Sequence, residues 1–188
     1  CIKCCIMYSV MKVGIYFNKK YLPGYLETVQ RVKERLGASG IECAAVCSPE
    51  DLDGTDVLMV LGGDGTILTV AADCARRGIK IMGINYGHIG FLAEFEQEKL
   101  DEAIELLCSG DYSTEKRSML SVEIGGMSFI ALNDLVIERS TYGQKYSNTI
   151  SLSAYIDGSL VDNYLSDGII VSTPTGSTAY SLAAGGSV

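Results

Sequence analysis

The chain has two textures. Up to about residue 110, short unbroken apolar runs alternate with stretches whose apolar residues return every three or four positions. Residues 13–17, ECAAVC, Val57–Leu61 and IKIMGIN are the unbroken runs, as expected for parallel strands covered on both faces. Leu26, Val29, Val32 and Leu36 predict a helix closed by GASG. Ile67, Ala71, Cys74 and Ala75 predict a second, ending near Gly78, and Leu100, Ala103, Ile104 and Leu107 a third, ending at CSGD. Strands alternating with helices indicate a parallel α/β sheet. After Asp111 the period becomes two: SMLSVEIGGMSFIALNDLVIER and NTISLSAYIDGSLVDNYLSDGIIVSTP alternate polar and apolar residues around Gly turns, and no amphipathic helix is evident before Thr178. That half reads as mainly antiparallel β. The expected division is an α/β domain over 11–112 and a partial β domain over 113–188, with no internal repeat or low-complexity segment.

Composition narrows the picture. Of 188 residues, 47% are hydrophobic, enough for a proper core. The apolar runs are too short to span a bilayer, so a soluble protein with no membrane partner is expected. A net charge of -8 argues against a nucleic-acid partner, which would need a basic face to displace counterions. Cysteines stand at positions 1, 4, 5, 43, 47, 74 and 108, an odd and irregular set. Cys43, Cys47, Cys74 and Cys108 fall in strand or helix segments and are read as free core thiols of a reducing cytoplasm. The N-terminal CIKCC lacks further ligands for a structural zinc site. MKVGIYFN from Met11 looks like a natural start, so residues 1–10 are expected to be an upstream or appended segment without the pattern of a secretory signal.

The chemistry concentrates in glycine-rich loops. GGDGT, Gly62 to Thr66, lies where the third strand ends, on the edge at which α/β sheets gather ligands. Gly62, Gly63, Gly65 and Thr66 offer close approach to backbone N–H groups at a helix start, which suits phosphate. Asp64 would repel a phosphate. It suits instead a base for a hydroxyl, a ligand to Mg²⁺ on the phosphates, or simply an N-cap of the helix over 66–77. A phosphate cradle beside a hydroxyl-activating carboxylate is what a small-molecule kinase requires. GINYGHIGFL follows the fourth strand and could wall the same crevice; His88 within it reads as a loop histidine, since no nucleophile and orienting group accompany it. NDLVIER sets Asn133 and Asp134 at a strand start, a turn signal in isolation. DGIIVSTPTGSTAY runs a buried strand from Asp167 into a hydroxyl-rich helix start, fit for phosphate or ribose oxygens, with Tyr180 able to stack on a base. The alternative there is a Ser/Thr-capped helix.

Together GGDGT, NYGHIGFL, the ND of ALNDLVIER and STPTGSTAYSLAAGG resemble the NAD kinase family, in that family's order and at similar spacing, over nearly the whole chain from Met11. GGDG alone is shared with diacylglycerol, sphingosine and phosphofructokinase relatives; TPTGSTAY is more specific. The resemblance implies transfer of the ATP γ-phosphate to the 2′-hydroxyl of the adenosine ribose of NAD, giving NADP. It implies Asp64 as proton acceptor and Gly65 as its neighbouring contact. It implies Asn133, Asp134, Asp167, Thr178, Ala179, Tyr180 and Ser181 as dinucleotide contacts. It also implies a Rossmann-like N-terminal domain, a β-rich C-terminal domain, dependence on Mg²⁺ or another divalent metal with ligands unassigned, and homo-oligomers.

The chain departs from the family pattern at three places. Ala183 stands where a Ser is common, which would remove one hydrogen bond to the nucleotide. Leu165 stands just before Asp167 where an Arg is often found, which would remove a cation near the new phosphate. Ser187 stands where a proline usually leads on into more of the β domain, so the chain is expected to be a fragment. Two rivals follow. A lipid or sugar kinase would share GGDG but not TPTGSTAY, and a non-catalytic dinucleotide-binding fragment would bind NAD without turnover. The kinase reading places the substrate cleft between the two domains, with Tyr180 and Asp167 near Asp64.

Overall fold

The structure is a computed structural model and describes residues 10–18, 24–87, 90–140 and 149–188. It divides into two compact units, Cys1–Glu115 and Lys116–Val188, each described by itself.

The first unit holds five parallel strands: β1 (Lys12–Phe17), β2 (Glu42–Val46), β3 (Val57–Leu61), β4 (Lys80–Asn85) and the two-residue β5 (Phe95–Glu96). Their order is β2-β1-β3-β4-β5. Three helices connect them: α1 (Tyr25–Ala38), α2 (Asp64–Arg77) and α3 (Leu100–Ser109). β3 is central and buried at all five positions. Its side chains alternate by face, as the strand period of two requires. Val57, Met59 and Leu61 pack with Val32 and Leu36 of α1 and Ile104 and Leu107 of α3. Leu58 and Val60 turn to the other face and meet Ile67, Val70 and Cys74 of α2. The unit is therefore three layers, helix–sheet–helix, as expected from the continuous apolar runs.

Some expectations for this unit need correction. Leu26 sits on α1 but is 70% exposed, because the buried stripe is Val29, Val32 and Leu36. On α2 the buried stripe is Ile67, Val70, Ala71 and Cys74, and Ala75 faces solvent. Among the four described cysteines only Cys74 is buried; Cys43 and Cys108 are half-buried and Cys47 is exposed, all of them free. Burial pushes the thiols of Cys43 and Cys74 up to about 11, which keeps them protonated at neutral pH. No described helix is long and apolar enough to cross a membrane. Cys1, Cys4, Cys5 and His88 lie outside the described residues.

The second unit is three antiparallel pairs: β6 (Leu120–Ile124) with β7 (Met127–Ala131), β8 (Asp134–Glu138) with β11 (Gly168–Ser172), and β9 (Ile150–Ile156) with β10 (Ser159–Ser166). Two of them are tight hairpins. Gly125-Gly126 and Asp157-Gly158 occupy the turns, all four residues with positive φ. A two-residue hairpin needs that conformation at both central positions to match the strand twist, which explains the Gly-Gly and Asp-Gly pairs. β8 and β11 pair across a long sequence separation, with Asp134 opposite Ser172 and Gly168 opposite Glu138. The helix expected after Thr178 is a single 3₁₀ turn over Thr175–Thr178 followed by the short α4 (Tyr180–Ala183).

Candidate active site

In an open α/β sheet the chain reverses its direction of winding at one point, and ligands collect beyond the strand ends there. The strand order places that point between β1 and β3. Asn18 follows β1 directly, and Gly62 and Gly63 follow β3. A cavity of about 330 Å³ opens at this position, lined by Asn18, Leu61, Gly62, Gly63, Thr66, Tyr86 and Gly87. A neighbouring hollow of about 230 Å³ is lined by Tyr16, Asn18, Gly63, Gly65, Thr66 and Thr69. The GGDGT turn thus lines both, and Tyr86 and Gly87 bring the second glycine loop to the first.

Local geometry explains the glycines. A Cβ on Gly62 would stand 2.4 Å from Thr66 Oγ1, so the turn folds onto the start of α2 only without one. The Gly62 N–H donates to the Ile84 carbonyl at 2.9 Å and ties the turn to β4. The N–H groups of Gly63, Asp64 and Gly65, at the N-cap and first turn of α2, have no intrahelical acceptor. They form, with the helix N-terminus, the part of the turn suited to an anion. Across the cavity, the buried Asn85 accepts the Gly87 N–H at 2.9 Å, and burial raises the Tyr86 phenol, which also bonds to Thr28.

Asp64 does not cap its helix. Gly63 is the N-cap, and Asp64 is the first helical residue. Its carboxylate lines neither hollow. It accepts the Phe91 N–H on Oδ2 at 2.8 Å and the Leu92 N–H on Oδ1 at 3.1 Å. These two amides were not singled out from the sequence. The signal was the glycine-rich run GINYGHIGFL itself, whose Gly90 leaves the space that the carboxylate occupies.

In the second unit the ND and STPTGS segments meet. The Thr173 N–H donates to the Asn133 carbonyl at 2.8 Å, and the Thr173 hydroxyl donates to the Leu132 carbonyl at 2.6 Å. The same hydroxyl accepts the Gly176 N–H at 3.0 Å. A Cβ on Gly176 would stand 2.1 Å from the Asn133 carbonyl oxygen. Thr178 closes the 3₁₀ turn, Ala179 donates its N–H to the Gly176 carbonyl, and Ser181 accepts the Gly186 N–H. Tyr180 opens α4 and is half exposed. Asp134 begins β8 opposite Ser172. Asp167 immediately precedes β11 and pairs with Arg139 immediately after β8, Nη1 to Oδ1 at 3.2 Å, while the Arg139 N–H donates to the Asp167 carbonyl at 2.9 Å. A cation does therefore stand beside Asp167, supplied from β8, whereas Leu165 is 76% exposed. Among the described residues, no group of three or more His, Cys, Asp or Glu side chains could hold a metal ion.

Comparison with known proteins places the chain in a family. Residues 26–112 match the model of the ATP-NAD kinase N-terminal domain, and residues 132–188 that of the ATP-NAD kinase C-terminal domain. The chain belongs to the NAD kinase family. It is similar to the NAD kinase of Caldanaerobacter subterraneus subsp. tengcongensis, 46% identical over 139 residues, which are 71% of this chain and 48% of that protein. An NAD kinase of Clostridium botulinum is 46% identical over 143 residues, 74% of this chain and 50% of that protein. The chain thus spans about half the length of the curated NAD kinases it matches. Among solved structures, an NAD kinase from Archaeoglobus fulgidus in complex with ATP aligns with a TM-score of 0.73 and 27% identity, over 95% of this chain and 67% of that one. Yeast NADH kinase complexed with NADH aligns with a TM-score of 0.76 and 22% identity over 97% of this chain and 63% of that one, a likeness of fold alone.

Proposed function

We propose that the chain is the part of an NAD kinase that carries the phosphoryl-transfer turn, and that it acts with ATP on the 2′-hydroxyl of the adenosine ribose of NAD to give NADP. The observation that carries this reading is the position of GGDGT. The turn lines both hollows at the switch point of a parallel sheet, where phosphate-binding loops of such folds are placed. Membership in the NAD kinase family supports the choice of substrate over a lipid or sugar. The relatives solved with ATP and with NADH support the choice of ligands.

In this reading the ATP phosphates rest on the amides of Gly63 and Gly65 and the hydroxyl of Thr66, with Gly62 shaping the turn. Asn133, Asp134, Asp167, Thr178, Ala179, Tyr180 and Ser181 hold the dinucleotide. Asp64 accepts the proton of the 2′-hydroxyl as that oxygen bonds to the γ-phosphorus. The bond from the γ-phosphorus to the bridging oxygen breaks, and ADP leaves with the electron pair. Mg²⁺ commonly binds through one or two carboxylates plus substrate phosphates; since no described carboxylate cluster could hold it, the phosphates would supply most of its ligands. Such an ion would neutralise charge on the phosphates. The free thiols suit a cytoplasmic setting. Homo-oligomers belong to the same reading and are checked by sedimentation.

The test is NADP formation by the full chain from NAD, ATP and Mg²⁺, with diacylglycerol and fructose phosphate as competing acceptors. NADP alone is the expected product. Phosphorylation of either competitor, or NAD binding without turnover, would replace this reading by one of its rivals.

A further inference from the structure

We propose that Gly90 is a positioning residue for Asp64, and that the amides of Phe91 and Leu92 form a two-pronged clamp that sets the direction of its carboxylate. The inference rests on the reading of Asp64 as the group that receives the hydroxyl proton.

Three observations converge. Each oxygen of Asp64 accepts one amide, Oδ2 from Phe91 and Oδ1 from Leu92. A carboxylate is the side chain that matches two such donors, because both its oxygens accept; an amide of the same shape would turn an NH₂ toward one of the N–H groups. Next, a Cβ at position 90 would stand 2.2 Å from Asp64 Oδ1, 2.5 Å from Cγ and 2.6 Å from Oδ2. The carboxylate can move off only by giving up both amides. Its backbone is the first residue of α2, and the amides that hold it belong to the two residues after Gly90. Last, the far end of the loop is boxed in as well, since a Cβ at Gly83 of β4 would stand 2.8 Å from the Ala93 Cα. Loop and helix start are therefore pressed together, and glycine at 90 is what allows it.

The clamp has a chemical consequence. It engages one acceptor position on each oxygen, and a carboxylate oxygen has two. A fixed carboxylate with unused acceptor sites is pre-oriented to receive a proton, so no ordering step is needed at the moment of reaction. Gly90 acts through Asp64 and need not touch substrate. Its substitution should lower kcat while leaving the groups that bind NAD and ATP in place.

The experiment combines kinetics with amide hydrogen exchange on the full chain. Gly90→Ala is expected to lower kcat by about 10²-fold, the scale of a misplacement of one ångström, with both KM values little changed. Exchange at the Phe91 and Leu92 amides should accelerate in Gly90→Ala while β3 stays protected. A wild-type kcat in Gly90→Ala overturns the proposal. Should that variant fail to fold, Asp64→Ala decides, because it removes the acceptor without adding bulk. Faster exchange at Phe91 and Leu92 supports the clamp, and unchanged exchange there overturns it. If the unsubstituted chain makes no NADP, turnover by this chain gives way to the rival of a non-catalytic dinucleotide-binding fragment, and the exchange measurements still decide the clamp.

Discussion

The two units organise their apolar residues in opposite ways. The first closes around β3, and its core residues run from Val13 to Leu107. In the second, no apolar side chain among the described residues is buried; only Thr173 and Gly176 are. Its strand faces carry Ile124, Phe129, Tyr155, Leu165 and Val171 in exposed positions. The difference follows from how each kind of sheet is joined. Parallel strands need helical crossovers, and the helices cover both faces. Antiparallel pairs need only a turn, so Gly125-Gly126 and Asp157-Gly158 can set a hairpin that has no core of its own. Two-stranded ribbons of that kind are marginal in water. In the second unit, order depends on turn chemistry and on the buried polar knot joining Asn133, Thr173 and Gly176.

The first way to break the comparison is Leu58→Ala in β3. The side chain is fully buried against α2, and its loss should cost about 2–5 kcal/mol. Urea unfolding followed by far-UV circular dichroism checks it; a cost below that range would mean that the first core is looser than its burial implies. The second is Gly176→Ala. The added methyl would meet the Asn133 backbone, which cannot yield as a flexible side chain would, so a cost of about 1–3 kcal/mol is expected, confined to the second unit. Amide exchange at Thr173 and Gly176 should report it while β3 is untouched. The third is Arg139→Ala. The pair with Asp167 is exposed at the carboxylate, so its stability contribution is about 0–1 kcal/mol and should shrink in salt. The smallest effect is at Leu165→Ala, where 76% exposure predicts a change within about 0.5 kcal/mol. A large loss there would show that the second unit buries a surface that its strand pairs leave open.

What could be read from the sequence divides along the same line. β3 was legible as an unbroken apolar run ending in glycines and α2 by its helical period, and the two hairpin turns because Gly-Gly and Asp-Gly signal a specific backbone. Local pattern is silent about residues that meet across the chain. The clamp on Asp64 joins positions 64, 91 and 92, and no period of two or 3.6 links them. The pairing of β8 with β11, which brings Arg139 to Asp167, is equally non-local. β5 is two residues long and carries no period at all. Leu26 and Cys47 were misplaced for a different reason, since an apolar residue at the edge of an element is as easily exposed as buried. The glycine loops were legible as phosphate-friendly and as two walls of one crevice, but not the particular residues, Tyr86 and Gly87, that line it.

The most direct measurement of the central claim is the turnover of Asp64→Asn with NAD, ATP and Mg²⁺, alongside NAD binding by calorimetry. On the proposed role of Asp64 as proton acceptor, the substitution should lower kcat by about 10²–10⁴-fold, while NAD still binds. An Asp64→Asn protein that turns over at the unsubstituted rate would contradict the assignment of Asp64, and with it the reading of the GGDGT turn as the phosphoryl-transfer site.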